Sequence, residues 1–423
     1  MSIRLLLKHL QDVTSYLDNP KIVSKIKGLA RMISQGVEAT LIIVSNILVI
    51  PKELEKFITI LEMDYLDINE IKRIIERFIK DNELNEVKDN ILIEELAVAF
   101  KGLTEFEINN LLALSYADDG ELTRGDLRFI FEQKQQMIKK AGILEMIPLK
   151  ETVKDIGGLE NLKEWLKRKA KIYKNMNKAK QYGVDMPKGV LIAGVPGCGK
   201  SLNAKAAANL FEVPLLRLDM GRLMGKYVGE SESNLRKAIA LAEAISPCVL
   251  WIDELEKAFA GIGSDGGGAE VTTRLFGNFL TWMQEKDSPT FVVATANNIT
   301  KLPPELLRKG RFDEIFYVGL PNAEERRRIF QIHLNKRRPQ DLENINISEL
   351  VNETDGFSGA DIEGVVKDAI ENAFADDKMS VQTKDIMNSI QETHPLSEIM
   401  EDELEKMEEE YENRKFKNAS IMR

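Results

Sequence analysis

Three apolar runs in the second half of the chain have the length and composition of buried β-strands. They occupy residues 189–193, 248–252 and 291–296, and each is followed at once by glycine or polar residues. An alanine-rich stretch at residues 202–210 comes shortly after the first run and has the composition of a helix. The pattern predicts α/β structure here, with the chemically active side chains at the ends of the strands.

The segment after the first predicted strand reads GVPGCGKS, residues 194–201, and matches the pattern G-x-x-x-x-G-K-[ST] in full. Its glycines allow backbone N–H groups to surround phosphate oxygens, and the following helix adds partial positive charge at its N-terminus. Lys200 is therefore predicted to reach the terminal phosphates of a nucleotide, and the Ser201 hydroxyl to ligate Mg²⁺. The alternative is a chance glycine-rich turn, which the strand–loop–helix context disfavours.

Two acids, Asp253 and Glu254, follow the second predicted strand. Carboxylates at the end of a buried strand are costly unless they bind a cation or polarise water. We predict that Asp253 holds Mg²⁺ through its water shell and that Glu254 orients and deprotonates the attacking water. Because apolar strands often end in acids, the prediction depends on the position of the pair, roughly fifty residues after the phosphate loop.

Two further signals follow in chain order. Asn297 ends the third predicted strand and would help to position the water, although an asparagine in that place is often only a turn residue. Arg308 and Arg311 lie in the sequence LRKGRFD and could be surface charges. After the other signals they are predicted to be arginine fingers, because a guanidinium that neutralises transition-state charge raises the rate by ~10³–10⁵.

In this order, the four signals resemble the AAA family of P-loop ATPases over roughly residues 150–390, and within it an AAA group of cyanobacteria and chloroplast genomes. The resemblance implies a five-stranded parallel sheet with helices on both faces, then a small helical lid. It also implies ATP and Mg²⁺ as ligands, and a ring, usually of six subunits, in which each arginine pair reaches a neighbour's ATP. Further nucleotide contacts are implied for Ile156, Gly157, Gly194, Pro196, Gly197, Cys198, Gly199, Leu202, Gly359 and Ala360.

The N-terminal third repeats part of the second half in a degenerate form. Apolar, glycine and acidic positions between residues 57 and 108 recur at a nearly constant offset between residues 312 and 362. We therefore predict a truncated AAA-like α/β domain without a phosphate loop, in which Lys8 and His9 occupy the positions of the acid pair. Such a domain cannot hydrolyse ATP and would be a scaffold, a substrate adaptor or an assembly element. Coincidence between two α/β segments is the alternative.

These patterns predict four parts of the chain. A degenerate AAA-like domain at residues 1–147 precedes the large α/β subdomain of the ATPase at 148–323. A helical lid at 324–394 and a charged helical tail at 395–423 follow. The tail contains nine acids and one lysine between residues 398 and 412, and we expect either a solvated helix or a helix that docks on a neighbouring subunit.

The sequence also suggests what the ATPase acts on. Tyr227, in GKYVGESE, is similar to the aromatic pore loop of AAA members that thread polypeptides, since an aromatic on a glycine-hinged loop can intercalate among the side chains of an extended chain. Local packing of Tyr227 is the alternative, and glycine-rich residues 261–268 indicate only flexibility. We predict a ring that remodels protein substrates. The alternative is a nucleotide-switched assembly module with slow hydrolysis, and a nucleic-acid motor is less favoured.

Composition narrows these classes further. The net charge of −10 argues against broad nucleic-acid binding, and the lysine-rich helix expected at residues 162–181 has the apolar positions of an amphipathic helix with a solvated face. The two cysteines, Cys198 and Cys248, favour a reducing compartment. The longest apolar run, residues 41–50, is well short of the ~20 residues that span a bilayer. We expect a soluble, cytoplasmic protein without a membrane partner.

Overall fold

The structure is a computed structural model that describes residues 6–11, 13–45, 50–61, 64–84, 90–223, 230–258 and 267–421. The chain divides into two compact units, Met1–Asp64 and Tyr65–Arg423. The described strands are β1 (Leu6–Gln11), β2 (Ala39–Val44), β3 (Leu144–Ile147), β4 (Gly189–Gly194), β5 (Leu215–Leu218), β6 (Cys248–Ile252), β7 (Thr290–Ala296), β8 (Glu314–Val318) and β9 (Lys417–Asn418).

The described α-helices, in chain order, are α1 (Pro20–Ser34), α2 (Ile68–Asp81), α3 (Asn90–Phe100), α4 (Glu105–Asp119), α5 (Asp126–Ala141), α6 (Glu160–Lys174), α7 (Met176–Gln181), α8 (Lys200–Phe211), α9 (Met220–Leu223), α10 (Glu230–Ile245), α11 (Leu255–Ala258), α12 (Gly267–Glu285), α13 (Ala323–Arg337), α14 (Ile347–Asn352), α15 (Gly359–Ala375), α16 (Thr383–Glu392), α17 (Leu396–Ile399) and α18 (Glu401–Arg414). None of the helices in the described ranges is both long enough and apolar enough to span a bilayer.

The first unit is a small β–α–β arrangement. Helix α1 begins where Asn19 accepts a hydrogen bond from the Lys21 amide at 3.0 Å and Pro20 fills the first helical position, which needs no N–H. It leads back so that β1 and β2 pair in parallel. Val23 and Ile26 of α1 pack in a small core with Leu17 and Leu54.

The strand register of this unit corrects one prediction. Leu10 lies opposite Ile43 in the first unit, and Ile252 lies opposite Ala294 in the second half. The sequence repeat matches residues 41–46 with 292–297, so Ile43 corresponds to Ala294 and Leu10 to Ile252. Gln11 therefore takes the place of the first acid of the pair. The assignment of Lys8 and His9 to the acid positions is wrong, because the connection between the strands is shorter in the first unit and the sequence does not show where residues are missing.

The large sheet of the second unit has the strand order β3-β5-β6-β7-β4-β8-β9. Its five central strands are parallel, which confirms the predicted five-stranded parallel sheet, and helices cover both faces. Leu191 packs into the core on one face, while Val190 and Ile192 pack into the core on the other. Strands buried on both faces have continuous apolar sequences, which explains the runs seen in the sequence.

Two edge strands were not predicted. β3 pairs antiparallel with β5, and β9 pairs in parallel with β8. Since β3 belongs to this sheet, the large α/β subdomain begins before residue 148, and the region at residues 1–147 is not one domain. Its first part forms a separate unit, whereas α2–α5 belong to the second unit, where Lys101 donates a hydrogen bond to the Ser246 carbonyl beyond α10.

Helices α13–α16 form the predicted helical lid, with a core of their own. The earlier helices α2–α5 share its local structure. α4 begins at a capping box on Thr104 and α15 at one on Ser358, and α2 and α13 begin at capping boxes on Asp67 and Asn322. Because these caps fall at matching positions of the sequence repeat, they support the interpretation of α2–α5 as a degenerate copy of the lid.

The lysine-rich helix differs in detail from its prediction. It breaks at Asn175 into α6 and α7. Lys163 is buried rather than solvated, and its ammonium donates to the Ile156 carbonyl at 2.6 Å. Lys167 and Lys174 form ion pairs of 2.6 Å with Glu164 and Glu212. These three lysines are therefore engaged by protein groups rather than free to bind phosphate.

The interpretation of the C-terminal region as a solvated tail is wrong. Leu404, Met407 and Tyr411 of α18 are buried, and the Tyr411 ring stacks on Tyr317 of β8 with centroids 3.9 Å apart. Beyond the helix, β9 joins the edge of the sheet. The helix therefore uses its thin apolar stripe to dock on the core of its own large sheet, while its acids face outward.

We expect Tyr411→Ala to lower the free energy of unfolding by about 3–5 kcal/mol, because it removes a buried aromatic side chain and leaves a cavity against Tyr317. Ile399→Ala is the matched control, since Ile399 lies in the same segment but is 69% exposed, and it should change stability by less than about 0.5 kcal/mol. The urea midpoint of each purified variant measures both effects. Equal midpoints for the two variants would contradict the docking of α18.

Candidate nucleotide site

The phosphate loop joins β4 to α8, and two of its glycines are required by their surroundings. At Gly194 an added Cβ would lie 2.0 Å from the Val318 carbonyl oxygen of the neighbouring strand. Gly199, the residue before α8, has a left-handed φ of 82° that side chains disfavour. The loop can therefore turn tightly into the helix and leave its backbone N–H groups accessible, as phosphate binding needs.

Lys200 opens α8 and is buried, with 6% of its surface exposed. Its ammonium donates to the carbonyl oxygens of Gly194 at 2.8 Å and Val195 at 2.7 Å. It has no ion-pair partner in the described part of the chain. Burial lowers its pKa to about 8. A buried ammonium held only by neutral carbonyls is a favourable binding group for an anion that would restore its compensating charge.

The metal-ligand candidates lie together at the end of β6. The Ser201 hydroxyl donates to Asp253 Oδ1 at 3.2 Å. Thr295 of β7 also donates its hydroxyl to Asp253 Oδ1, and its oxygen accepts the Glu254 N–H at 3.1 Å. Sequence reasoning missed Thr295, although a signal was present: it lies two residues before Asn297, and alternate residues of a strand point to the same face.

Glu254 and Asn297, predicted to act together, lie in contact. The Asn297 side-chain amide donates to Glu254 Oε1 at 3.2 Å, and Lys257 forms an ion pair of 2.7 Å with Oε2. Glu254 has a left-handed φ of 51°. A non-glycine residue in this conformation costs about 1–2 kcal/mol, and such strain is concentrated at functional sites.

These groups line a cavity of about 440 Å³ that the lid closes on one side. Ala360 of the lid donates its backbone N–H to the Gly197 carbonyl at 3.0 Å, which joins the lid to the phosphate loop. The structure brings together almost all of the predicted binding residues around this cavity, namely Ile156, Gly157, Pro196, Gly197, Cys198, Gly199, Lys200, Ser201, Leu202, Asp253, Glu254, Asn297, Gly359 and Ala360.

Several lining residues were not predicted. They are Asp155, Leu159, Thr295, Gly319, Pro321, Glu325, Ile329, Ile332, His333 and Glu363. Ile329, Ile332 and His333 recur at the three- and four-residue spacing of one helix face on α13. The sequence contained that periodicity, but it did not show that this face of the lid would turn toward the phosphate loop.

Three predicted residues do not line the cavity. Gly194 is outside the lining, and its carbonyl accepts a hydrogen bond from Lys200. Arg308 is exposed and Arg311 is partly buried, in the segment between β7 and β8. Neither arginine belongs to the described lining of this site. Within one subunit, the structure therefore does not bring the arginines together with the acid pair.

The residues present fit Mg²⁺. Ser201 and Asp253 offer neighbouring hard oxygen donors, the ligand type that Mg²⁺ prefers. No group of three or more His, Cys, Asp or Glu side chains in the described ranges could hold a metal alone. A cation here would depend on phosphate oxygens or water for its remaining ligands, as is usual for Mg²⁺ at nucleotide sites.

The parallel sheet, the glycine loop with its buried lysine and the acid pair on a nearby strand define a P-loop nucleotide-binding protein with a helical lid. Comparison with known families agrees. Residues 190–320 match the ATPase family associated with various cellular activities (AAA), and residues 344–388 match the AAA+ lid domain. Residues 6–63 and 69–141 match the N-terminal and second domains of SpoVK-like AAA ATPases.

The chain belongs to the AAA ATPase family. The AAA domain-containing protein ycf46 of Guillardia theta is 41% identical over 406 residues, which are 96% of this chain and 78% of the relative. The ycf46 protein of Pyropia yezoensis is 39% identical over 412 residues, 97% of this chain and 82% of the relative. ATPase family gene 2 protein homolog A of Homo sapiens is 36% identical over 226 residues, 53% of this chain and 25% of that protein. These relatives confirm the family resemblance and the plastid group within it.

Proposed function

We propose that the protein binds ATP with Mg²⁺ in the described cavity and hydrolyses it to ADP and phosphate. One observation carries this proposal. Glu254, a candidate base with a strained backbone, is hydrogen-bonded to Asn297 in the same cavity that holds the buried Lys200 and the Ser201–Asp253 pair. An anion-binding group, a metal-ligand pair and a base in one cavity are the parts that phosphoryl transfer to water needs.

Each residue has a distinct role in the proposed reaction. Lys200 donates hydrogen bonds to phosphate oxygens in place of the loop carbonyls that it contacts here. Ser201 and Asp253 hold Mg²⁺, which when bound neutralises charge on the phosphates. Glu254 accepts a proton from the attacking water, and the Asn297 amide keeps the carboxylate and the water in position. The left-handed backbone at Glu254 sets only where its side chain leaves the main chain, and Asn297 orients the carboxylate.

The nucleotide itself is held from several sides in this proposal. Ile156 and Gly157 contact the adenine, Gly359 and Ala360 close the ribose side from the lid, and the loop residues surround the phosphates. Cys198 contributes as a neutral thiol, since burial raises its pKa to about 11. Burial also raises the pKa of Cys248, to about 12. Both cysteines are free thiols, so we propose a reducing, cytoplasm-like compartment.

AAA proteins commonly form rings, and we propose a ring, with six as the expected number of subunits, for this chain. The exposed Arg308 and the partly buried Arg311 lie outside the cavity of their own subunit. They supply positive charge to a neighbour's γ-phosphate, where a guanidinium stabilises the transition state. This arrangement makes hydrolysis dependent on assembly.

The ring is proposed to remodel protein substrates by pulling on an extended segment through Tyr227. Tyr227 lies outside the described residues, as does most of the glycine-rich stretch at 261–268, so this part depends on the sequence. Helices α2–α5 and the first unit are the scaffold or adaptor in this proposal. A nucleotide-switched assembly module is the second candidate, favoured by the amount of chain that precedes the ATPase core.

Glu254→Gln should bind ATP with nearly unchanged affinity but hydrolyse it about 10²–10⁴-fold more slowly, because the amide keeps the shape and loses the base. Binding of a fluorescent ATP analogue and release of phosphate measure the two quantities. Glu285→Gln makes the same change at an exposed position of α12 and should hydrolyse ATP at the wild-type rate. Normal turnover in Glu254→Gln would rule out this base.

Mixing Arg311→Ala subunits with Lys200→Ala subunits should restore part of the activity that each lacks alone. At some interfaces the first variant supplies an intact phosphate loop and the second an intact arginine. Lys200→Ala mixed with Glu254→Gln is the control, since both changes damage a subunit's own cavity and no interface becomes complete. Phosphate release across mixing ratios decides the question, and no recovery at any ratio would contradict shared sites.

An unfolded protein should stimulate ATP hydrolysis, and Tyr227→Ala should abolish the stimulation while leaving basal turnover intact. Tyr182→Ala, at a residue 90% exposed outside that loop, is the control and should still respond. Slow ATP turnover that changes neither on addition of unfolded protein nor in Tyr227→Ala would favour the nucleotide-switched assembly module. Stimulation by DNA that disappears with salt would favour the nucleic-acid motor instead.

A further inference from the structure

A second glutamate, Glu256, follows the proposed base in the chain and takes none of the roles named for the proposed reaction. It is in α11, two residues beyond the strained Glu254, and only 6% of its surface is exposed. It does not line the nucleotide cavity in the described structure. Its Oε1 accepts a hydrogen bond from the Asn297 backbone N–H at 3.0 Å. Its Oε2 is buried and has no hydrogen-bond partner among the described residues.

This carboxylate is energetically costly where it lies. Taking a carboxylate out of water without a cationic partner costs several kcal/mol, and no lysine or arginine of the described chain forms an ion pair with Glu256. Burial is the main cause that raises the pKa of Glu256, and the hydrogen bond from the Asn297 backbone opposes that rise. An apolar side chain of similar size would be cheaper in a site that served only packing.

The hydrogen bond from Asn297 explains why an acceptor is needed there. β7 ends at Ala296, which pairs with Ala193 of β4, so Asn297 is the first residue beyond the ladder. Its N–H therefore lacks a strand partner, and Glu256 supplies the acceptor that a buried N–H requires. The side chain of the same residue bonds Glu254. Two glutamates thus hold Asn297 at two points, one by its backbone and one by its amide.

The surroundings of Glu256 strengthen the hydrogen bond from Asn297. The hydroxyl of Tyr411, on the docked helix α18, is buried, and the Glu256 charge is among the causes that raise the pKa of that hydroxyl. Met407 and Tyr411 of that helix belong to the same buried cluster as Leu255, the residue next to Glu256. A charged acceptor in an environment closed to solvent forms a stronger hydrogen bond than one in water.

We propose that Glu256 is a positioning residue for ATP hydrolysis, which fixes the backbone of Asn297 so that its amide stays against Glu254. The inference rests on the proposed hydrolytic function and adds to it a residue that acts through another. Loss of the Glu256 acceptor allows Asn297 to move, and Glu254 then loses the partner that orients it. The chemical step slows, whereas ATP binding does not depend on this contact.

The first test compares Glu256→Met with Glu256→Gln. Methionine keeps the length of the side chain but offers no comparable acceptor, and glutamine keeps an oxygen. We expect Glu256→Met to lower kcat at least tenfold with less than a twofold change in KM and in ATP affinity. Glu256→Gln should recover most of that loss. A wild-type kcat for Glu256→Met, or a loss in KM alone, would overturn the proposal. If the methionine variant does not fold, Glu256→Ala is judged on the same criterion.

The second test is a double-variant cycle with Asn297→Ala. If Glu256 acts through Asn297, the variant carrying Glu256→Met and Asn297→Ala should be no slower than Asn297→Ala alone. Losses that multiply would mean that Glu256 acts independently, and the proposal would be wrong. Wild-type hydrolysis and its loss in Glu254→Gln test the proposed function separately. If the wild-type protein hydrolyses ATP and Glu254→Gln does not, but the losses in the double-variant cycle multiply, only the role of Glu256 is refuted.

Discussion

The parallel register of four strands is the constraint on which the site depends. β6 pairs with β7, β7 with β4, and β4 with β8, with Ala294 opposite both Ile252 and Leu191. Because the strands run in the same direction, their carboxyl ends meet at one edge of the sheet. The phosphate loop, the acid pair and Asn297 come together there from three segments that span residues 194–297 of the chain. A shift of one strand by one residue would turn every side chain to the other face and dismantle the cavity.

The sequence predicted the parts of this site whose chemistry is local. Lys200 and Ser201 belong to a contiguous motif, and the acid pair ends a strand that is recognisable from its own apolar residues. Thr295 carried only the signal of its spacing from Asn297, and Glu256 carried none, because their contacts with Asp253 and Asn297 are made across the fold. The roles proposed for Arg308 and Arg311 require a neighbouring subunit and therefore stay predictions.

The errors of prediction have a common physical origin in long-range pairing. β9 is only two residues long, and no apolar alternation marks it as a strand; it exists because the edge of β8 offers unpaired backbone groups. The docking of α18 similarly depends on the surface of the sheet that its apolar stripe contacts, and no local sequence pattern reveals that surface. Lys8 and His9 were misplaced because register is set by both strands of a pair together, whereas a sequence match considers each strand by itself.

The degenerate lid shows which features of the lid persist in the second copy. Thr104 keeps the capping box found at Ser358, so the helix start is preserved. In the sequence repeat, however, Glu105 and Phe106 stand where Gly359 and Ala360 approach the phosphate loop. Phe106 is 73% exposed, and Gly359 has little room for a side chain, because an added Cβ would lie 3.1 Å from the Gly197 carbonyl. The helix start is therefore common to both copies, whereas the small residues that approach the phosphate loop occur in only one of them.

The late strand β9 also has a consequence for biosynthesis. Glu314 of β8 and Lys417 of β9 form an ion pair across 103 positions of the sequence. A ribosome that adds roughly 5–20 residues per second needs about 5–20 s to cover that interval. During this time the β8 edge of a nascent chain has no β9 to pair with, and an open edge is a template for pairing with other chains. When several ribosomes translate one mRNA, the unpaired β8 edges of neighbouring nascent chains can therefore meet until β9 has been synthesised.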